Sequence, residues 1–122
     1  MSVVTKIDSY LMEGKDFEAA FDYWFKSVQK MINDYMTKEF PGQTKTLEVM
    51  KGKRYYKVVA VDGGLGAGRS AWAFIDTTNG DVLKPAGWST PAKGARGNLF
   101  DKDNGLKSVG PYGPAYKRGG NY

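Results

Sequence analysis

Between Asp16 and Met36 the apolar residues Phe17, Ala20, Phe21, Trp24, Phe25, Val28, Met31, Ile32 and Tyr35 recur at steps of three and four. Glu18, Asp22, Lys26, Lys30 and Asp34 occupy the opposite face, so the segment predicts an amphipathic helix. Asp16 is placed to cap its start, and Phe40-Pro41-Gly42 to stop it. Acids in the first turns and lysines further on suit the helix dipole. Upstream, Val3, Val4, Ile7, Tyr10 and Leu11 fit a shorter helical stripe that ends at Gly14.

After Pro41 the period changes from helical to extended. Arg54 to Asp62 and Ser70 to Asp76 are rich in β-branched and aromatic residues, the composition of strands. A third strand begins at Asp81 to Leu83, reached through Thr77-Thr78-Asn79-Gly80, where the Asn-Gly pair predicts a hairpin because both residues tolerate positive φ. Thr46 to Met50 adds an edge strand that turns at Gly52. A small antiparallel meander needs cover on one face, and the helix supplies it. The expected fold is α+β, one domain made of a helical part (1–40), an antiparallel sheet (44–84) and a Gly/Pro-rich wrap (85–122).

That wrap carries the whole net charge. Lys84 to Tyr122 hold seven Lys/Arg against two acids, whereas residues 1–83 hold eleven of each. Trp88, Leu99, Phe100, Leu106, Val109, Tyr112 and Tyr116 are spaced through it as apolar anchors. Disordered tails lack such anchors, so the segment is expected to be ordered against the sheet and to fray only at Gly119 to Tyr122.

The absence of cysteine and histidine narrows the chemistry. It removes disulfides, Ser-His-Asp and Cys-His nucleophiles, and zinc sites with His or Cys ligands. The acids and tyrosines show no paired spacing for a general acid/base couple, so no enzyme and no cofactor are expected. No apolar run reaches the ~18 residues of a membrane span, and the N-terminus lacks a signal-peptide core. The chain reads as soluble and intracellular, with no membrane partner.

Two motifs resemble known sites and lack their physics. Gly63-Gly64-Leu65-Gly66-Ala67-Gly68-Arg69-Ser70 approaches a phosphate loop, but arginine stands where lysine is required and a strand follows instead of a helix. It is expected to be a flexible hairpin loop. Asp101-Lys102-Asp103-Asn104-Gly105 starts like a calcium loop, but its twelfth position is Tyr112 and its glycine comes one place early. An Asx-type turn fits it better.

The remaining signal is cationic and aromatic. Glycines beside Lys93 and Arg96 allow backbone amides and cations to meet one anion, as in a phosphate-binding nest. The candidate contacts to a polyanion, nucleic acid first, are Lys84, Lys93, Arg96, Lys107, Lys117 and Arg118, with Trp88, Tyr112 and Tyr116 as stacking rings. The broad aromatic helix stripe offers a further expectation, a homo-oligomer formed through that face.

The run GDVLKPAGWSTPAKGARGNLFD followed by GPYGPAY resembles a family of small uncharacterised bacteriophage proteins, over residues 53 to 118. The resemblance implies a phage origin and the host cytoplasm as setting. It brings no activity. Three functions are therefore expected in order: a non-enzymatic binder of nucleic acid or another anion, an inhibitor of a host enzyme or defence system that binds a protein or nucleotide signal, and a minor virion component.

Overall fold

The predicted stripe folds as helix α1, Asp16–Glu39, in a computed structural model that describes residues 16–63 and 68–115. Phe17, Ala20, Phe21, Trp24, Val28, Ile32 and Met36 are buried along it, so the apolar face is spent on one neighbour. Phe40 N–H still bonds the Met36 carbonyl, after which Gly42 at φ 90° turns the chain away. Asp16 does not act as the expected cap. Its carboxylate is buried and accepts no hydrogen bond among the described residues. The shorter helix expected upstream and the fraying end at 119–122 lie outside the described residues.

The neighbour is a five-stranded antiparallel sheet in the order β1-β2-β3-β4-β5, built from Lys45–Lys51, Tyr55–Asp62, Arg69–Asp76, Asp81–Leu83 and Gly97–Asn98. The expected α+β architecture is observed. Leu47 pairs with Ala60, Val49 with Val58 and Lys51 with Tyr56, which sets this row of residues on the face toward α1. Between β2 and β3 the register shifts: Val58 faces Ala73 and Val59 faces Ala71, leaving Trp72 as the extra residue of a bulge. Trp72 and Ala73 both join the core under the helix, and Trp72 meets the fully buried Trp24 edge-on with centroids 6.1 Å apart. A bulge breaks strict alternation, and here it places a second large ring under the helix.

β3 and β4 pair antiparallel across the expected Asn79-Gly80 hairpin, where Gly80 takes positive φ, at 83°, and Asn79 does not. The Phe100 ring covers Gly80 so closely that a Cβ there would lie 2.7 Å from it. β2 and β3 pair antiparallel, with Asp62 N–H donating to the Gly68 carbonyl; residues 64–67 of the flexible loop expected between them lie outside the described residues. Arg69 itself pairs with Glu48 at 2.9 Å.

The basic segment is folded, as its anchors predicted, though only some of the expected anchors are buried. Leu99 and Val109 are buried, whereas Trp88 is 47 % and Tyr112 63 % exposed. Gly97–Asn98 supplies the fifth strand, and Val109–Gly110 with Gly113–Pro114 forms a second small sheet, β6–β7. The Asp101–Gly105 run is the expected Asx-type turn: Asp103 accepts the N–H of Gly105 at 3.0 Å and of Lys107 at 2.8 Å. Those amides hold the Asp103 carboxyl below its ordinary range, against the upward push of burial.

Two side chains tie the layers. Gln29 reaches from α1 to the free edge of β1, donating to the Lys45 carbonyl at 3.0 Å and accepting Leu47 N–H at 2.7 Å. Asn104, buried at φ 60°, donates to the carbonyls of Leu99 at 2.8 Å and Ala20 at 3.3 Å, joining the turn to the helix. Asn104→Ala removes both donors and leaves an alanine at positive φ. It should cost about 1–3 kcal/mol of unfolding free energy, read from the urea midpoint at unchanged slope.

Candidate nucleic-acid interface

A cation can serve a ligand only where the fold does not already use it. Arg96 is used. Its Nε donates to the Ala115 carbonyl at 3.0 Å, and its Nη1 donates to the carbonyls of Lys93 at 3.1 Å and Gly94 at 2.5 Å. Lys84 Nζ donates to the Pro114 carbonyl at 3.0 Å. Burial and the nearby Arg96 charge push the Lys84 ammonium below the ordinary lysine range. The segment around Lys93 therefore turns carbonyl oxygens toward Arg96, the opposite polarity from an anion nest. The nest expected at 93–97 is not formed. Irregular backbone leaves carbonyls without ladder partners, and these two cations satisfy them.

The two described rings of the candidate set are also separated. Tyr112 stands on the α1 side of the sheet, its hydroxyl 2.8 Å from that of Tyr35 and the rings crossed at 80°. Lys45, paired with Asp62 at 2.9 Å, lies 5.9 Å from the Tyr112 ring. Trp88 stands on the opposite face. Lys93 and Lys107 are exposed, while Tyr116, Lys117 and Arg118 lie outside the described residues. Thus Trp88 and Tyr112 cannot stack neighbouring bases of one strand. The helix stripe proposed for self-association is likewise turned inward; Tyr23, 63 % exposed, is on α1 but outside that stripe.

What the fold does assemble is a row of two cations interspersed with three rings on the face away from α1. In β2, residues 55 and 57 point opposite to the buried Tyr56 and Val58, because side chains alternate along a strand. The Arg54 guanidinium lies 5.1 Å from the Tyr55 ring, and Tyr55 meets Phe74 edge-on at 6.0 Å. Lys57 follows, paired in register with Phe74 and with Met50, which is 49 % exposed. Lys57 Nζ is 6.0 Å from the Phe74 ring and 3.6 Å from that of Trp88.

Trp88 reaches Lys57 because residues 85–91 fold back. Pro85 bridges Pro91, and the amides of Ala86 and Gly87 both donate to the Thr90 carbonyl. This puts Trp88 at the tip of a tight turn, half exposed. The two cations of the row differ in kind. Arg54 is held by the buried Asp76 carboxylate, with Nη2 at 3.0 Å and Nε at 3.2 Å. Lys57 has no carboxylate within 4.0 Å among the described residues.

Arg54, Tyr55, Lys57 and Met50 were absent from the sequence-derived set. Their signal was the period-two reading of RYYKVVAVD, which puts Tyr55 and Lys57 on one face. Nothing local showed that Trp88, thirty-one residues on, would close over Lys57.

The row falls within a recognised stretch of sequence. Residues 9–110 match the model of a family of unknown function, DUF7717. The chain belongs to that family. The DUF7717 span takes in α1, the five-stranded sheet and Trp88, and it ends before β7 and Tyr112. Comparison with curated proteins and with solved structures finds no match. No helix of the described residues is long and apolar enough to cross a membrane.

These assignments separate structural cations from the others. Arg96→Ala should destabilise the fold by about 1 kcal/mol, because the part-buried carbonyls of Gly94 and Ala115 lose their donor, and Arg96→Lys should not fully restore it. Asp76 gives a pH test. Burial pushes its carboxyl up, but hydrogen bonds from Arg54 and Thr78 and the Arg54 charge outweigh it, so the group sits below its ordinary 3.8. Stability tied to it is full above that value and is lost as pH falls through the lowered one. Urea unfolding below about pH 4 should therefore weaken less steeply in Asp76→Asn than in the parent.

Proposed function

We propose that this protein is a non-enzymatic binder of nucleic acid, using the sheet face opposite α1. The observation that carries the reading is the row Arg54-Tyr55-Phe74-Lys57-Trp88, in which two cations are interspersed with three rings, Phe74 buried and Tyr55 and Trp88 more open. Rings offer sequence-tolerant stacking and cations offer phosphate contacts, the pairing that single-strand and backbone binders employ. Lys57 is the available charge within the row. Lys93 and Lys107 are exposed and make no ion pair among the described residues, so they add to the cationic field. A chain with a net charge of +5 engages few phosphates, and its binding is weak and salt-sensitive.

A bacteriophage setting is part of the proposal, supported by the likeness of the GDVLKPAGWSTPAKGARGNLFD block to small phage proteins.

Fluorescence anisotropy with labelled DNA and RNA oligonucleotides tests the reading. Binding should appear at low salt and weaken along a line of log K against log salt, with a slope of roughly −2 to −4 for a few phosphates released. Lys57→Ala should shift that slope toward zero by about 0.7–0.9 while leaving the unfolding midpoint unchanged. Absence of binding to both single- and double-stranded oligonucleotides at low salt sinks the proposal.

A further inference from the structure

The Lys57–Trp88 pair is the one place in the row where both partners have something left to give. At 3.6 Å from the ring centroid the ammonium lies in contact with the π-face, which partly replaces the water it would otherwise bind. That replacement is weaker than a carboxylate, and no carboxylate of the described residues competes for Lys57. Arg54 shows the contrast, since its guanidinium is fixed on Asp76 and its ring contact is incidental to that pair. Trp88 is 47 % exposed, so Lys57 covers only part of it. The ring stands at the tip of the Ala86–Thr90 turn, where the flanking Gly87 and Ser89 are also exposed and leave room beside it.

From this we infer that Trp88 and Lys57 form a subsite selective for single strands. One unpaired base stacks on the exposed surface of Trp88, and the Lys57 ammonium transfers from the ring to the adjoining phosphate. The inference rests on the nucleic-acid reading above and specifies its substrate. Bases inside a duplex have both π-faces covered by their neighbours, so a ring on a protruding turn cannot reach them without unstacking the helix. Unpaired bases offer those faces freely, and any base serves. The anion and the π-face required by the site are adjacent parts of one nucleotide, which favours this class over an acidic peptide or an isolated phosphate.

The test uses the full chain and three probes of equal length: a mixed-sequence DNA single strand, its duplex, and the same single strand with abasic positions throughout. Anisotropy gives affinity, and tryptophan fluorescence of Trp88→Phe against the parent isolates the stacking signal. The single strand should bind about ten-fold or more tighter than the duplex, and the abasic strand should lose about ten-fold relative to the intact one. Trp88→Ala should lose as much for the intact strand and nothing for the abasic one, whereas Trp88→Phe should retain most of the affinity. Because the abasic strand is read on the parent protein, the result stands even if Trp88→Ala folds poorly. If strand, duplex and abasic strand bind alike, the subsite is overturned while nucleic-acid binding stands. If none of the three binds at low salt, the broader reading has failed and this inference with it.

Discussion

One contact governs the arrangement of the whole chain: Trp24 of α1 against Trp72 of β3, inside the dry layer between helix and sheet. Two indoles bury more apolar area than any other pair available here. They can meet only because the β3 bulge turns Trp72 to the helix side next to Ala73. With regular alternation, Trp72 and Phe74 would both point away from α1. The bulge thus divides the β3 rings between faces, Trp72 to the core and Phe74 to the row beneath Lys57. The fold under the helix and the surface opposite it follow from one inserted residue. Trp72 also donates its Nε1 proton to the Pro111 carbonyl at 3.3 Å, so the same ring positions the β6–β7 hairpin.

The basic segment obeys a different constraint. Its strands are two residues long, so most of its backbone groups have no ladder partner. Buried carbonyls in such a segment need donors, and long cationic side chains are the donors with sufficient reach. Arg96 and Lys84 perform that service for Ala115, Gly94 and Pro114. The charge surplus that looks like a ligand signal in the sequence is therefore partly a folding device. Counting cations overstates the binding surface wherever irregular backbone is dense.

What could be read from the sequence followed the range of the interaction involved. The helix, four strands, the Gly52 turn and the Asx turn at Asp103 depend on periodicity and local hydrogen bonds, which neighbouring residues declare. The fifth strand, Gly97–Asn98, escaped because two residues carry no period and glycine has no strand propensity. Arg96 was misassigned for a related reason. A guanidinium bonded to a carbonyl nineteen positions away, besides two close by, looks in sequence the same as one free to bind phosphate. Tyr55 and Lys57 were visible as a strand face, but their meeting with Trp88 needed the Pro85–Pro91 bridge, a tertiary fact. Trp88 and Tyr112 looked alike as tail aromatics, and only the sheet between them tells them apart.

The two faces of the sheet now divide the aromatic residues by purpose. On the α1 side, Phe17, Phe21, Trp24, Tyr56 and Trp72 pack with one another, and Tyr56 donates its hydroxyl to Glu18. Burial and that bond push the Tyr56 phenol up to about 12. These rings are consumed by stability. On the far side, Phe74 is buried, Tyr55 half-buried and Trp88 half exposed; Tyr55 and Phe74 pack edge-on, and each of the three is also approached by a cation. Had this face served packing alone, an apolar side chain at position 57, beside Met50 and Trp88, could have closed over it without the cost of ordering a lysine. A lysine held over an indole with no acid beside it adds little to a fold, since exposed cation–π contacts contribute only about 0.5–1 kcal/mol. Its placement makes sense as charge kept beside a ring, and that is why we propose the far face, and not the basic tail as a whole, as the side that takes a ligand.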